Sequence, residues 1–366
     1  MEPEEPPAAE RDEGADAPDE RCDYCRLPIP EAPVTAERNG ETYHFCSSPC
    51  REMMTTEDRV FTEYHGFRQF DPGVSALRAG LPQGIPRNSL VLVSGEPGTR
   101  DKALHGELIW RALQRGEPAV IVAFLDTPVA IVQEFIGLGW NVLPYLDSGQ
   151  LRILDCFTYR LDDADEMVRG MSDWTHHLHD VAMASTDTVR DPTNPQAVLN
   201  GLENCLDGMD DDEGVVVIDS LTEFGSLVQP VQAYDFVKDL RASVCKARTV
   251  PVFVGASRIG NGDDFPHDLG YIADGVIDLV LDDSLVEDTL MKRIRVRKMS
   301  GVRSIRRWAT YEFTEGRGLV AAKPSEGDEE GEDDGDPDGA KTEKSQPDGE
   351  HGPDSGTAGG AAADPE

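Results

Sequence analysis

Residues 89–102 read SLVLVSGEPGTRDK, and this stretch decides the fold. Leu90 to Ser94 is a short apolar run of the kind that forms a strand buried on both faces. A glycine-rich turn follows at once, Gly95-Glu96-Pro97-Gly98-Thr99. A helical pattern then runs from about Lys102 to Gln114, with Leu104, Leu108, Ile109 and Leu113 on one side. Strand, glycine loop and helix form the architecture of a P-loop, whose backbone N–H groups and helix N-terminus cradle phosphate. The pattern is G-x-x-x-x-G-K-[ST]. This chain supplies its first glycine, Gly95, and then departs: Arg100 stands for the second glycine, Asp101 for the lysine and Lys102 for the hydroxyl.

The departure has physical content. The second glycine lets the backbone approach phosphate closely, the lysine neutralises the terminal phosphates, and the hydroxyl ligates Mg²⁺. Asp101 instead puts a negative charge where a polyphosphate would lie. At an effective dielectric near 20, like charges about 4 Å apart repel by roughly 4 kcal/mol. Arg100 and Lys102 flank the acid and compensate in part, or bind phosphate in another register. The loop is therefore a relic without nucleotide, or a modified site that binds weakly. Its vestigial nucleotide-binding set is Gly95, Gly98, Thr99 and Lys102.

The 366 residues carry a net charge of −36. The first 20 residues account for −8 and residues 324–366 for −13, so −15 remains between them. Such an acid excess suits a halophilic protein kept soluble in concentrated salt. It argues against DNA, whose phosphates need a basic surface. No apolar run is long enough to span a membrane. The N-terminus lacks the basic and apolar regions of a signal peptide. A cytoplasmic protein is expected, and its paired cysteines then read as metal ligands rather than disulfides.

The chain divides into a disordered acidic tail (1–20), a zinc module (21–54), a helical linker and lead-in (55–88), a large domain (89–322) and a second disordered acidic tail (323–366). In the module, Cys22 and Cys25 form a Cys-x2-Cys knuckle, and Cys46 and Cys50 a Cys-x3-Cys pair. Val34 to Phe45 reads as a hairpin around Asn39-Gly40, a strong turn signal. After Cys46, Ser47 or Ser48 and then Pro49 announce a helix start. Knuckle, hairpin and helix make a treble clef, and four thiolates at this spacing close a tetrahedral Zn²⁺ site. So small a unit has too little core to fold unaided. The pattern resembles the TRASH family of treble-clef zinc modules, which are linked to metal sensing or protein contacts. His44 lies beside the site and is an alternative ligand. In the linker, TTEDRVFTEYHGF reads as helical.

From residue 89 strands and helices alternate, which predicts a mostly parallel sheet with helices on both faces. The expected strands are Leu90–Ser94, Ala119–Phe124, Leu151–Asp155, Val215–Asp219, Pro251–Ala256 and Val276–Leu281. The expected helices lie near 102–114, 128–138, 162–183, 196–207 and 232–247. Lys292–Lys298 and Trp308–Phe313 should form an antiparallel edge. GVVVIDSLTEF, residues 214–224, is a buried strand with Asp219 at its C-terminal tip. That is the place of a Walker B acid, which helps to hold Mg²⁺.

Taken together, the large domain resembles the RecA superfamily, in its KaiC-like and RadA-like branch of P-loop ATPases. The matching stretches are GLPQGIPRNSLVLVSGEPGT, AVIVAFLDTPVAIVQEFIGLGW, VVVIDSLTEF, and IADGVIDLVL followed by RIRVRKMSG. The resemblance implies a RecA-like fold and an ATPase ancestry. It also implies a pair of glutamates that activates water, and here Leu125-Asp126 stands in that place. Asp126 and Asp219 are thus relic catalytic candidates, and Asp219 and Ser220 complete the vestigial nucleotide site. A carboxylate displaced by about 1 Å can cost roughly a hundredfold in rate.

Other residues carry less. Cys156, Cys205 and Cys245 read as core thiols. His176, His177 and His179 read as part of a solvated helix. Arg293, Arg295 and Arg297, with Lys298, form a charged edge strand; in the family, basic residues here reach a neighbouring subunit's nucleotide. The leading expectation is a KaiC-like regulatory or scaffolding protein with lost or weak ATP/Mg²⁺ binding. It would act through protein contacts, as a homo-oligomer or with a related ATPase, in a signalling role. One alternative is an active ATPase with a rearranged loop that uses Lys102 and Asp219. The other is a recombination accessory protein acting at DNA.

Overall fold

The computed structural model describes residues 20–25, 27–29, 32–38, 41–56, 69–161, 168–210, 213–258, 269–286 and 289–322. The expected Asn39-Gly40 turn, most of the linker helix and nearly all of both acidic tails lie outside them.

Strands β1 (Val34–Arg38) and β2 (Glu41–Phe45) pair antiparallel, with Val34 opposite Phe45 and Arg38 opposite Glu41. Helix α1 (Ser48–Thr56) follows. Around it Cys22, Ile29, Phe45 and Met54 make a core of their own.

Further on, β3 (Gln69–Phe70) and β4 (Ile85–Pro86) form a short antiparallel pair. The strands of the main sheet then alternate with helices. They are β5 (Leu90–Gly95), β6 (Ala119–Ala123), β7 (Leu151–Asp155), β8 (Thr186–Thr188), β9 (Val215–Asp219) and β10 (Val252–Ser257). Four more close the domain: β11 (Gly275–Val286), β12 (Thr289–Met299), β13 (Ala309–Thr314) and β14 (Gly318–Ala321). The helices are α2 (Asp101–Gln114), α3 (Pro128–Gly137), α4 (Leu143–Asp147), α5 (Asp173–Ala184), α6 (Pro195–Leu206), α7 (Leu221–Leu227) and α8 (Pro230–Leu240).

Among the described residues ten strands make one sheet, ordered β14-β13-β12-β11-β5-β10-β9-β6-β7-β8. The run from β11 to β8 is parallel, and β12, β13 and β14 add antiparallel. Successive side chains of a strand point to opposite faces. Accordingly Val91 and Val93 pack with Leu104, Leu108 and Val132 on one face. Leu90 and Leu92 pack with Val198, Leu202 and Leu240 on the other. The expected α/β architecture with helices on both faces is what the chain adopts. Phe70, Val74, Leu77, Leu81 and Ile85 lie in the first of these cores, so the lead-in packs as part of the large domain.

Local differences from the sequence reading have local causes. Of the helix expected over 162–183, residues 162–167 lie outside the described ones, and Asp173–Ala184 is helical. Ser172 caps it, accepting a hydrogen bond from Thr175 N at 3.2 Å. Strand β8 is three residues long and exists through its pairing with β7. Helix α7 starts directly behind β9, because Ser220 Oγ accepts from Glu223 N at 3.4 Å. The antiparallel edge has β14 as an extra strand. Helix α8 widens into a π-helical stretch at Arg241–Ala247.

Candidate functional site

Parallel strands deliver their C-terminal ends to one edge of the sheet. Register sets Ser257 of β10 beside Gly95 of β5, Asp219 of β9 beside Ala123 of β6, and Asp278 of β11 beside Ser94. Gly95, Asp219 and Asp278, far apart in sequence, therefore share the edge where open α/β sheets bind ligands.

The loop after Gly95 is tied down from several sides. Glu96 N donates to Leu279 O at 3.1 Å, and Glu96 Oε2 accepts from Leu281 N at 2.9 Å. Arg258 N donates to Gly95 O at 2.7 Å. The Thr99 hydroxyl donates to Glu96 O at 2.6 Å, and the Tyr311 hydroxyl donates to Thr99 O at 2.5 Å. Gly98 has a φ of 94°. Arg100 is left-handed, with a φ of 60°, in the position where the P-loop pattern uses its second glycine. Its guanidinium lies 5.1 Å over the ring of Phe313. Asp101 folds back on Gly95: a Cβ at Gly95 would lie 2.7 Å from Asp101 Cβ and 3.1 Å from Oδ2. A carboxylate thus stands where the pattern has an ammonium.

The ammonium is one residue later. Lys102 Nζ donates to Asp126 Oδ2 at 2.5 Å. Burial works against the Lys102 charge, yet Asp126, Asp219 and Glu134 together hold its pKa above the ordinary lysine value. One turn along α2, His105 is 2% exposed, with Nδ1 3.6 Å from Asp219 Oδ1. Among the described residues neither ring nitrogen has a partner at hydrogen-bond distance, Asp219 being the nearest acid to Nδ1. The ring fits only because residue 255 is glycine, where a Cβ would come within 2.4 Å of His105 Cε1. Burial pushes the Asp219 carboxyl upward, but His105 and Lys102 bring it below the usual carboxylate range. Burial raises Glu134 on α3, and the Lys102 charge opposes that rise. Lys102, His105, Glu134 and Asp219 line one cavity of about 20 Å³. Ser220 lies at the same strand end, with its hydroxyl engaged as the cap of α7.

The structure places Lys102 beside Asp126, Asp219 and Glu134, with His105 next to Asp219, while Gly98, Thr99 and Ser220 are engaged within the loop and the cap of α7. His105 carried a signal, a polar residue on the buried face of α2 between Leu104 and Leu108. Measured against what a nucleotide triphosphate with Mg²⁺ requires, the loop holds an acid where cationic charge is needed. Lys102 fills the place of the metal-ligating hydroxyl, and its ammonium is already engaged by Asp126.

A second charged group lies alongside. Asp278 is fully buried in β11 and accepts from Arg295 Nε at 3.0 Å. Arg297 lies 3.1 Å and Arg258 3.9 Å from its other oxygen. Arg293 pairs with Asp282 at 2.5 Å, and Lys298 donates to the Gly270 and Ala273 carbonyls. The arginines of β12 are thus engaged by acids of their own chain. An acid inside the apolar run IDLVL was the signal for Asp278.

In the N-terminal module the Sγ atoms of Cys22, Cys25, Cys46 and Cys50 lie within 4.8 Å of one another. Cys25 to Cys46 is 3.6 Å and Cys46 to Cys50 is 3.7 Å. Tetrahedral zinc with Zn–S near 2.3 Å sets its sulfurs about 3.8 Å apart, so the donor set and its spacing fit Zn²⁺. Burial opposes the Cys22 thiolate, but backbone N–H groups bring its pKa down to about 7; burial pushes Cys25 up to about 12. His44 does not join the sulfurs: its ring contacts Glu20, and its N donates to Asp23 Oδ2 at 2.6 Å. Cys156, Cys205 and Cys245 are buried core thiols. On α5, His176 lies 3.8 Å from Asp180, away from any cysteine group. No described helix is long and apolar enough to cross a membrane.

Comparison with known proteins agrees with both parts. Residues 70–326 match the family described as KaiC ATPase. Residues 16–52 match the MYM-type zinc finger with FCS sequence motif, and Phe45-Cys46-Ser47 supplies those letters. A UPF0273 protein of Thermotoga maritima is 28% identical over 261 residues, covering 70% of this chain and 96% of its own. A UPF0273 protein of Pyrococcus horikoshii is 26% identical over 249 residues, covering 68% and 90%. Among solved structures, the KaiC-like protein PH0186 of Pyrococcus horikoshii matches with a TM-score of 0.50 and 19% identity, over 70% of this chain and 99% of that one.

Proposed function

We propose that this chain, which belongs to the KaiC family of ATPases, is a regulatory or scaffolding member in which ATP binding and hydrolysis are lost or weak. The observation that carries the reading is the pairing of Lys102 with Asp126 at 2.5 Å, next to an Asp101 that stands for the phosphate-binding lysine. Losing that lysine removes a charge-assisted contact of roughly 1.5–3 kcal/mol, about ten- to a hundredfold in affinity. Asp101 adds repulsion toward the phosphates. Leu125 supplies no carboxylate to orient water. The rearranged-loop ATPase would need Lys102 to face phosphate, whereas it faces Asp126.

The N-terminal cysteines hold Zn²⁺ as a structural staple. Four thiolates complete the tetrahedron, so no coordination position stays open for catalysis. The chain acts through protein contacts, as a homo-oligomer or with a related ATPase, in the cytoplasm. The acid excess that suits concentrated salt disfavours DNA. Equilibrium titration with a fluorescent ATP analogue and Mg²⁺ in high salt tests the central point. The expected result is no saturable binding below millimolar nucleotide. Micromolar binding that disappears in Asp219→Ala would contradict it.

A further inference from the structure

With 70 acids for 34 bases, carboxylates are plentiful for every arginine of this chain. The arginines of β12 use them: Arg293 pairs with Asp282, and Arg295 and Arg297 with Asp278. The connection from β12 to β13 does the opposite. Arg303, Arg306 and Arg307 are all exposed there, and among the described residues none of the three pairs with an acid. Beside them lies a groove of about 280 Å³, lined by Leu77 and Ala79 of the lead-in, Ile294 and Val296 of β12, and Ile305 and Trp308 of the connection. Ile305 N donates to Gly80 O at 2.9 Å, which holds the connection against the lead-in, while the Ile305 side chain stays 37% exposed. Arg307 also faces the groove, and Trp308 stacks under the Arg295 guanidinium at 4.3 Å. Apolar lining, a tryptophan and arginines are what the anchoring centres of protein interfaces are made of.

We propose that this groove and its three arginines dock an acidic peptide segment of a partner protein, with one bulky apolar side chain in the groove and flanking carboxylates on Arg303, Arg306 and Arg307. The inference rests on the reading of a chain that acts through protein contacts, and it names the chemistry of the contact. Charge complementarity selects the acids. The volume selects a side chain, because small-molecule pockets run to roughly 300–1,000 Å³. Three arginines are few for nucleic acid, where a protein neutralises roughly 6–10 phosphates. The acidic stretch 324–366 brings charge but holds no Val, Leu, Ile, Met, Phe, Trp or Tyr to fill the groove. The occupant therefore comes from another protein.

The test selects displayed random dodecapeptides on the full, zinc-loaded chain, in salt at which it is folded. Selected peptides should carry two or more acids around one Trp, Phe or Leu. A labelled synthetic copy, followed by fluorescence anisotropy, should bind about tenfold more weakly to Arg306→Glu/Arg307→Glu. Ala79→Phe, which fills the groove, should weaken it by a similar factor. All three positions are exposed, so the variants should fold. A synthetic peptide of residues 324–366 should bind at least tenfold more weakly than the selected one. Selection of no peptide, of peptides without acids, or of peptides indifferent to the arginine reversal in a folded variant would overturn the proposal. Equal binding by the 324–366 peptide would give the surface to the chain's own acidic stretch instead. Displacement of the selected peptide by a single-stranded oligonucleotide at lower concentration would give it to nucleic acid. Self-association in analytical ultracentrifugation that the arginine reversal abolishes would give it to a second copy. Each of these three results also overturns the proposal. A selected peptide that binds elsewhere leaves the reading of protein contacts standing, and the ATP titration is read separately.

Discussion

The four-cysteine module and the Gly95 edge solve one problem in opposite ways. Both gather groups that carry negative charge. In the module, Cys22, Cys25, Cys46 and Cys50 converge at a spacing that fits Zn²⁺, a cation from outside the chain. At the Gly95 edge, Asp126 and Asp219 converge around Lys102, and the balancing cation belongs to the chain. The first arrangement fits a cation from outside the chain, and the second carries one of its own.

The largest effect that would break this comparison is at the module. Structural zinc contributes on the order of 10 kcal/mol or more to folding in zinc-finger peptides. Chelation, or Cys25→Ser, should release one Zn²⁺ per chain and unfold residues 21–54 while the main thermal transition persists. Metal analysis and limited proteolysis read both. A freshly purified, reduced chain without zinc would remove one side of the comparison.

A second effect tests whether built-in ion pairs carry stability elsewhere in the domain. Asp274 accepts from Leu90 N at 3.0 Å and from Arg241 at 2.8 Å, with Lys246 at 3.3 Å. Burial pushes its carboxyl up, but Arg241, the Leu90 N–H and Lys246 bring it below the usual range. Asp274→Asn leaves charged partners half-buried and should cost about 2–3 kcal/mol in denaturant unfolding. The sign with pH follows from the lowered value. Its contribution is present above the unfolded carboxyl pKa of about 3.9 and is lost as pH falls through the folded one. The variant's stability should therefore fall less steeply below about pH 4. An acid limb as steep as the parent's would show that Asp274 is not the group responsible.

How much of this was legible in the sequence follows from distance along the chain. The strand at Leu90, the acid at Asp219 and the four cysteines announced themselves through local spacing. The departures at Arg100, Asp101 and Lys102 were equally plain. The direction of Lys102 was not. Its partner Asp126 is 24 residues away, and Asp219 enters from a strand separated from β5 by β10. Only the stacking of parallel strand ends brings them together. His105 and Asp278 looked like single polar residues in apolar runs, because burial on both faces hides which of them faces the edge.

The smallest effect sharpens the comparison. Arg100 holds a left-handed backbone at a cost of about 1–2 kcal/mol, offset by its stacking on Phe313, worth about 0.5–1 kcal/mol. Glycine fits the backbone but adds about 0.5–1 kcal/mol of chain entropy to be lost. Arg100→Gly should therefore change stability by no more than about 0.5 kcal/mol, and by itself should bring no ATP binding. Binding after that one change would mean that the glycine, and not the charge arrangement, had been limiting. Arg100→Gly, Asp101→Lys and Lys102→Thr together should gain Mg²⁺-dependent ATP binding, because Asp219 is in place. Turnover should stay low until Leu125→Glu and Asp126→Glu are added.

The most direct measurement is ATP turnover by the unaltered, zinc-loaded chain in a high-salt assay, run beside Asp219→Ala. The account predicts that both sit at background and cannot be told apart. Hydrolysis at a rate typical of the family by the unaltered chain, abolished in Asp219→Ala, would contradict it.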